Sequence, residues 1–143
     1  MNEIDSIGTH SLAPYFELIN EQGTIKKFPE LISDRPLILL IVNTGCGVCS
    51  TDVEDFAKES INYSQHYNFV LITNEISDQY NLNLEHKFNE ILVIDEKFLT
   101  DYQIQRYPTF ILINTFGQIV ATPAFTHQFK DYYDPLHIQS IEA

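Results

Sequence analysis

A strand that has to be buried on both faces, followed closely by two cysteines, is the feature that most constrains this chain. Leu37–Val42 is apolar at every position, which is typical of a strand in a sheet covered by helices on both sides. Cys46 and Cys49 come next, and apolar positions then recur at helical spacing from Val48 to about Tyr67. The cysteines therefore lie at a strand-to-helix turn, where a dithiol can close and reopen as a disulfide.

The rest of the pattern predicts one α/β domain over residues 1–143, with helices on both faces of a mixed sheet. Apolar segments predict further strands at Asn68–Thr73, Ile91–Ile94, Thr109–Asn114 and Gln118–Ala121. Further helices are predicted at Ser77–Phe88, at Phe98–Ile104 and from Thr126 onward. Residues 8–30 form an N-terminal extension with a hairpin around Gln22-Gly23, and residues 122–143 a C-terminal helix or tail.

The charge of the chain argues against two classes of partner. Twenty acidic and 8 basic residues give a formal net charge of −12, which disfavours binding to nucleic acid or to an anionic membrane surface. Solubility accounts for this charge, and a preference for cationic clients is the alternative. No apolar run approaches the roughly 20 residues of a spanning helix, so we expect no membrane insertion.

The N-terminal sequence and the cysteine content bear on the compartment. Met1–Ala13 has neither a basic start nor an apolar core, so we expect no secretory signal and a cytoplasmic location. In a reducing compartment, a lone cysteine pair is more often catalytic or metal-binding than structural.

The two cysteines are expected to differ in reactivity. Cys46 falls at the N-terminal end of the predicted helix, where unpaired backbone N–H groups favour an anion and should lower the pKa of its thiol. Cys49 falls one turn later and should be more buried, which suits a resolving thiol.

Tyr107-Pro108 precedes a predicted buried strand, where proline cannot donate to the ladder. A cis bond that turns the chain beside a site is one solution, and a trans proline that opens an edge strand is the other. The cysteine pair upstream and the Asn114–Gly117 turn downstream favour the cis bond.

Together these pieces resemble the thioredoxin superfamily, over roughly residues 8–121. The matching residues are Leu37–Val42, Cys46–Cys49, Tyr107–Phe110 and Asn114–Gly117. The N-terminal part resembles the peroxiredoxin-like branch, which includes the reductases of cytochrome c maturation, through Gly8, Ala13-Pro14, Phe16, Leu18 and Gly23. The resemblance implies a thioredoxin fold, with a central mixed sheet flanked by helices and an N-terminal β-hairpin extension.

The resemblance also implies roles for the site residues. Cys46 is the attacking thiol, Cys49 the resolving thiol, and Pro108 a cis-proline that lines the substrate groove, where the Tyr107 backbone pairs with an extended client. The residues expected to contact substrate are Gly45, Gly47, Val48, Tyr107 and Pro108. The partners are a protein or peptide disulfide and a dithiol electron donor or acceptor. No organic cofactor is implied beyond the redox-active Cys46–Cys49 disulfide.

The sequence departs from the family pattern near the cysteines. Gly45 replaces the usual tryptophan, and the buried acid of thioredoxin is missing near Leu40. Glu75 is the nearest acid that could support proton transfer instead, and Asp52 falls where the family often carries an acid. The alternatives are an exposed loop carboxylate for Glu75 and a solvated first-turn carboxylate for Asp52.

These observations predict a thiol–disulfide oxidoreductase. Peroxidase chemistry is disfavoured because Thr44 is one residue too close to Cys46 and Leu39 stands where a proline is needed. Two alternatives stay open. One is a non-catalytic binding or redox-sensing module, with the dithiol as a latch or as a metal ligand. The other is a dedicated oxidase or isomerase for a small secreted peptide.

Overall fold

The structure is a computed structural model that describes residues 11–47, 49–75 and 85–122. The strands are β1 Glu17–Ile19, β2 Ile25–Lys27, β3 Leu37–Val42, β4 Asn68–Thr73, β5 Glu90–Val93, β6 Thr109–Ile113 and β7 Ile119–Ala121. The helices of the described part are α1 Phe28–Ile32, α2 Cys49–Tyr63 and α3 Glu96–Asp101.

Five strands form one mixed sheet in the order β5-β4-β3-β6-β7. β3, β4 and β5 are parallel, whereas β6 runs antiparallel to β3 and β7 antiparallel to β6. Val42 pairs with Thr73, and Ile41 pairs with Thr109. The C-terminal ends of β3 and β4 therefore lie next to the beginning of β6, and the candidate site lies at this end of the strands.

The sheet is covered on both faces, as the sequence predicts. Alternate residues of β3 point to opposite sides, and all six are fully buried. Leu37, Leu39 and Ile41 join a cluster with side chains from α1 and α3. The intervening residues join a second cluster with Val53 and Phe56 of α2.

The predicted N-terminal hairpin is confirmed as β1 paired with β2. Residues 12–20, which include β1, cross one face of the sheet, with Phe16 and Leu18 in the first cluster. At one end Leu12 bridges Gln118 beside β7, and at the other Asn20 bridges Leu92 of β5. One segment thus pairs at both edges of the sheet, where unpaired strands would otherwise be open to association.

Several predicted bounds need correction. α2 ends at Tyr63 rather than near Tyr67, because Tyr67 is fully buried in the second cluster just before β4. α3 begins at Glu96 rather than Phe98, since the Asp95 side chain caps it by accepting a hydrogen bond from the Phe98 N–H. The short helix α1, which has Pro29 in its first turn, was not predicted.

The predicted helix Ser77–Phe88 lies mostly outside the described residues, and the helix from Thr126 wholly so. The last four residues of the former, 85–88, are described and are not helical. Their polar groups bond elsewhere, since the Lys87 N–H donates to Ser60 Oγ of α2 and the Phe88 N–H donates to His86 Nδ1.

His86 should make the stability of this segment depend on pH. Burial lowers the pKa of His86 below its ordinary value of 6.5, and the neutral ring stacks on Phe88 at 4.3 Å while Nδ1 accepts the Phe88 N–H. Because the folded pKa is the lower one, this contribution is complete above about pH 6.5 and is lost as the pH falls below it.

We expect wild-type protein to lose more unfolding free energy between pH 7.5 and 5.5 than the His86→Asn variant, as measured by urea unfolding at each pH. Asparagine is the matched control because its side-chain oxygen can accept the same N–H without titrating. Equal losses in the two proteins would contradict this account.

Candidate active site

The two cysteines form a disulfide at the start of α2, with their Cα atoms 5.5 Å apart. Cys49 is the first residue of the helix and is fully buried, packed in the second cluster among apolar side chains. Cys46 lies three residues before the helix and is only partly buried. One cysteine of the pair is therefore partly exposed and the other is fully buried.

The Tyr107–Pro108 peptide faces this disulfide. Its bond is cis, and the Tyr107 carbonyl oxygen lies 3.6 Å from Cys46 Sγ. Tyr107 is half-buried and packs against both core clusters, while the Thr109 hydroxyl donates to the Arg106 carbonyl at 2.6 Å. The structure thus brings together the two features that the sequence separates by about sixty positions.

A turn anchored by Asn43 carries the chain from β3 to Cys46. The side-chain oxygen of Asn43 accepts the Gly45 N–H at 2.8 Å, and its carbonyl accepts the Cys46 N–H at 2.9 Å. The Cys46 carbonyl in turn accepts the Cys49 N–H at 3.4 Å. This series of bonds fixes the approach of the backbone to the disulfide.

Asn74 holds the same turn from the neighbouring strand, a contact that the sequence analysis missed. Its Oδ1 accepts the Thr44 N–H at 2.8 Å, and its Nδ2 donates to Thr44 Oγ1 at 3.0 Å. Asn43 follows β3 directly and Asn74 follows β4 directly. Because parallel neighbours end on the same side of a sheet, the two asparagines come together there once β3 and β4 are paired in register.

The glycines leave the surface around Cys46 open. Gly45 and Gly47 are both exposed. A Cβ at Gly47 would meet nothing within 4 Å, whereas one at Gly45 would come to 3.2 Å from Asn43 Oδ1. Val48, the remaining residue between the cysteines, lies outside the described residues.

The acidic candidates lie in different settings. Glu75 is exposed just after β4, and its carbonyl accepts a hydrogen bond from Thr73 Oγ1 at 3.1 Å. Asp52 is partly buried in the first turn of α2, where a carboxylate interacts favourably with the helix dipole. Leu40, which stands near the position where the buried acid of thioredoxin is missing, belongs to the same apolar cluster as Cys49.

Neither a metal cluster nor a spanning helix is found in residues 11–47, 49–75 and 85–122. Within these ranges, no three residues of the types His, Cys, Asp and Glu come together in a way that could hold a metal ion. No helix of this part of the chain has the length and apolar character to cross a bilayer.

Comparison with solved structures identifies the fold. The thioredoxin domain of a thiol-disulfide oxidoreductase from Bacteroides vulgatus superposes with a TM-score of 0.74 at 14% identity, covering 89% of this chain and 96% of that one. A thiol-disulfide oxidoreductase from Bacteroides fragilis gives 0.73 at 19% identity, covering 88% and 99%. The exposed lipoprotein thioredoxin of Streptococcus pneumoniae gives 0.68 at 20% identity, covering 85% and 99%.

No protein-family model matches the sequence, and a search of curated proteins finds no significant match. The similarity to solved structures nevertheless extends over most of each chain. The protein therefore has the thioredoxin fold, with a mixed sheet, flanking helices and a small N-terminal hairpin, and the predicted fold class is confirmed.

The burial of the two sulfurs predicts a difference in their reactivity toward alkylating agents. In the reduced, folded protein, limiting iodoacetamide should modify Cys46 faster than Cys49 by roughly tenfold or more, because Cys49 reacts only through local opening. Peptide mass spectrometry of the quenched protein measures the two rates. In strong urea the rates should converge, and equal rates in the folded protein would contradict the predicted burial.

Proposed function

We propose that this protein is a thiol–disulfide oxidoreductase that acts on disulfides in protein or peptide clients. The observation that carries the proposal is the pairing of a partly exposed cysteine, Cys46, with a fully buried one, Cys49, opposite the Tyr107–Pro108 peptide. The shared fold of several thiol-disulfide oxidoreductases is consistent with it.

The reaction needs only the two cysteines and proceeds in two exchange steps. The Cys46 thiolate attacks one sulfur of the client disulfide, so a mixed disulfide forms and the other client sulfur leaves as a thiolate. The Cys49 thiolate then attacks Cys46 Sγ, which forms the Cys46–Cys49 disulfide and releases the second client sulfur. The client gains two electrons and two protons, and a second dithiol protein returns the same number to the enzyme.

The client would lie beside Cys46 and contact Gly45, Gly47, Tyr107 and Pro108, with Val48 the remaining residue expected from the sequence to contact it. An extended peptide can pair with the Tyr107 backbone by strand addition. The exposed glycines leave room for side chains of the client next to Cys46. The net charge of −12 favours cationic clients over acidic ones.

The direction of the reaction depends on the compartment. In a reducing cytoplasm, where we place the protein, the dithiol form dominates and the enzyme reduces its clients. Oxidation or isomerisation of a small secreted peptide is the alternative for an oxidising setting. Asp52 and Glu75 are the candidates for moving the proton of the resolving thiol, with Asp52 the more enclosed of the two.

The test is multiple-turnover reduction of insulin or of a dye-labelled disulfide by the purified protein, with dithiothreitol as electron source. We expect wild-type protein to accelerate the reaction and Cys46→Ser to lower it to the rate of dithiothreitol alone, because the attacking sulfur is lost. Ser33→Ala, a change at an exposed residue shortly before β3 and so at the opposite end of that strand from Cys46, is the control and should keep activity.

Equal activity of the wild-type and Cys46→Ser proteins would overturn the proposal. No turnover by the wild type, together with a metal ion bound stoichiometrically to the dithiol, would instead support a binding or sensing module.

A further inference from the structure

We propose that Asn74 is a positioning residue that holds the Cys46 turn close to its disulfide geometry in both redox states and so stabilises the disulfide relative to the dithiol. This inference rests on the proposed function, because it concerns the redox equilibrium of the same site. It is carried by the two-point contact between Asn74 and Thr44, one contact to a backbone N–H and one to a side-chain hydroxyl.

The contact is placed where it can control the turn. The Asn74 amide bonds both to the Thr44 N–H and to Thr44 Oγ1, so Thr44 is held in position and in orientation. Thr44 lies between Asn43 and Cys46, and the oxygens of Asn43 accept the N–H groups of Gly45 and Cys46. Asn74 itself is fixed by β4, which pairs in register with β3 along its full length. The turn is therefore bonded to two adjacent strands.

The side chains of Asn43 and Asn74 bond to this turn through groups without formal charge. Two asparagine amides and a threonine hydroxyl take part in these hydrogen bonds. Gly45 and Gly47 offer no side-chain contacts of their own, so the backbone there depends on these bonds for its conformation. Removing the Asn74 amide should free the segment between β3 and Cys46.

That freedom has different consequences in the two redox states. In the disulfide form, the covalent bond continues to hold Cys46 next to Cys49. In the dithiol form, a released turn samples more conformations, so closing the ring then costs more conformational entropy. Loss of the contact should therefore shift the equilibrium toward the dithiol.

The experiment measures an equilibrium constant for thiol–disulfide exchange with glutathione at pH 7. In the forward direction, the protein dithiol and oxidised glutathione form the protein disulfide and two molecules of reduced glutathione. We expect Asn74→Ala to lower this constant about three- to fivefold, because the freed turn must be ordered again before the ring closes, an entropy cost on the scale of fixing about one backbone residue. Asn74→Asp should stay near the wild-type value, because a carboxylate can accept both the Thr44 N–H and the Thr44 hydroxyl.

Two further variants separate positioning from general destabilisation. Thr44→Val removes the hydroxyl but keeps the N–H, so it should have a smaller effect, and that effect should vanish in the Asn74→Ala background. Asn114 makes the same kind of contacts in the β6–β7 turn at the other end of the sheet, accepting from the Phe116 and Gln118 N–H groups. Asn114→Ala should lower the unfolding free energy of both redox forms equally and leave the glutathione equilibrium unchanged.

The outcomes distinguish this inference from the proposed function. An unchanged or higher constant in folded Asn74→Ala, or an equal shift in Asn114→Ala, would overturn the positioning role even if the wild type reduces insulin. The predicted shift in a protein that does not reduce insulin would support the positioning role and count against the enzyme.

Discussion

The pairing of β3 with two neighbours of opposite direction is the constraint on which the site depends. Parallel β4 brings Asn74 to the end of β3, and antiparallel β6 brings the Tyr107–Pro108 peptide to the same end. Neither residue is near Cys46 in sequence. If either pairing slipped by one residue, the side chains of that strand would exchange faces and the residues that follow or precede it would move away from Cys46, so the register of the sheet fixes the geometry of the site as well as the core.

Several of the groups around the disulfide are neutral. Cys49 belongs to an apolar cluster that includes Leu40, and the turn that carries Cys46 is bonded by two asparagines and a threonine. The Tyr107 carbonyl oxygen lies next to Cys46 Sγ. Gly45 is exposed and has no side chain, so no side chain covers Cys46 from that position.

The parts of this fold that the sequence predicts well are those with a strong local pattern. The bounds of β3 and β4 match the prediction because each is a short run that is buried at every position. The end of α2 does not match, since Tyr67 continues the apolar pattern but belongs to the core next to β4. Residues 85–88 have helical character in sequence, yet their N–H groups bond to a serine on α2 and to a local histidine instead.

The cysteines and the proline could be predicted from sequence because their chemistry is rare and their spacing is informative. The Asn74–Thr44 contact could not, because two ordinary polar residues thirty positions apart become partners only once the strand register is known. The same holds for the N-terminal segment, whose bridges to Gln118 and Leu92 follow from the finished sheet.

The most direct test of the central claim is the intact mass of the Cys49→Ser and Cys46→Ser proteins after incubation with a disulfide-bonded peptide. An accessible attacking sulfur next to a buried resolving one predicts a stable peptide adduct on Cys46 in the Cys49→Ser protein and little adduct in the Cys46→Ser protein. An adduct that forms mainly on Cys49, or equally on both, would contradict the account.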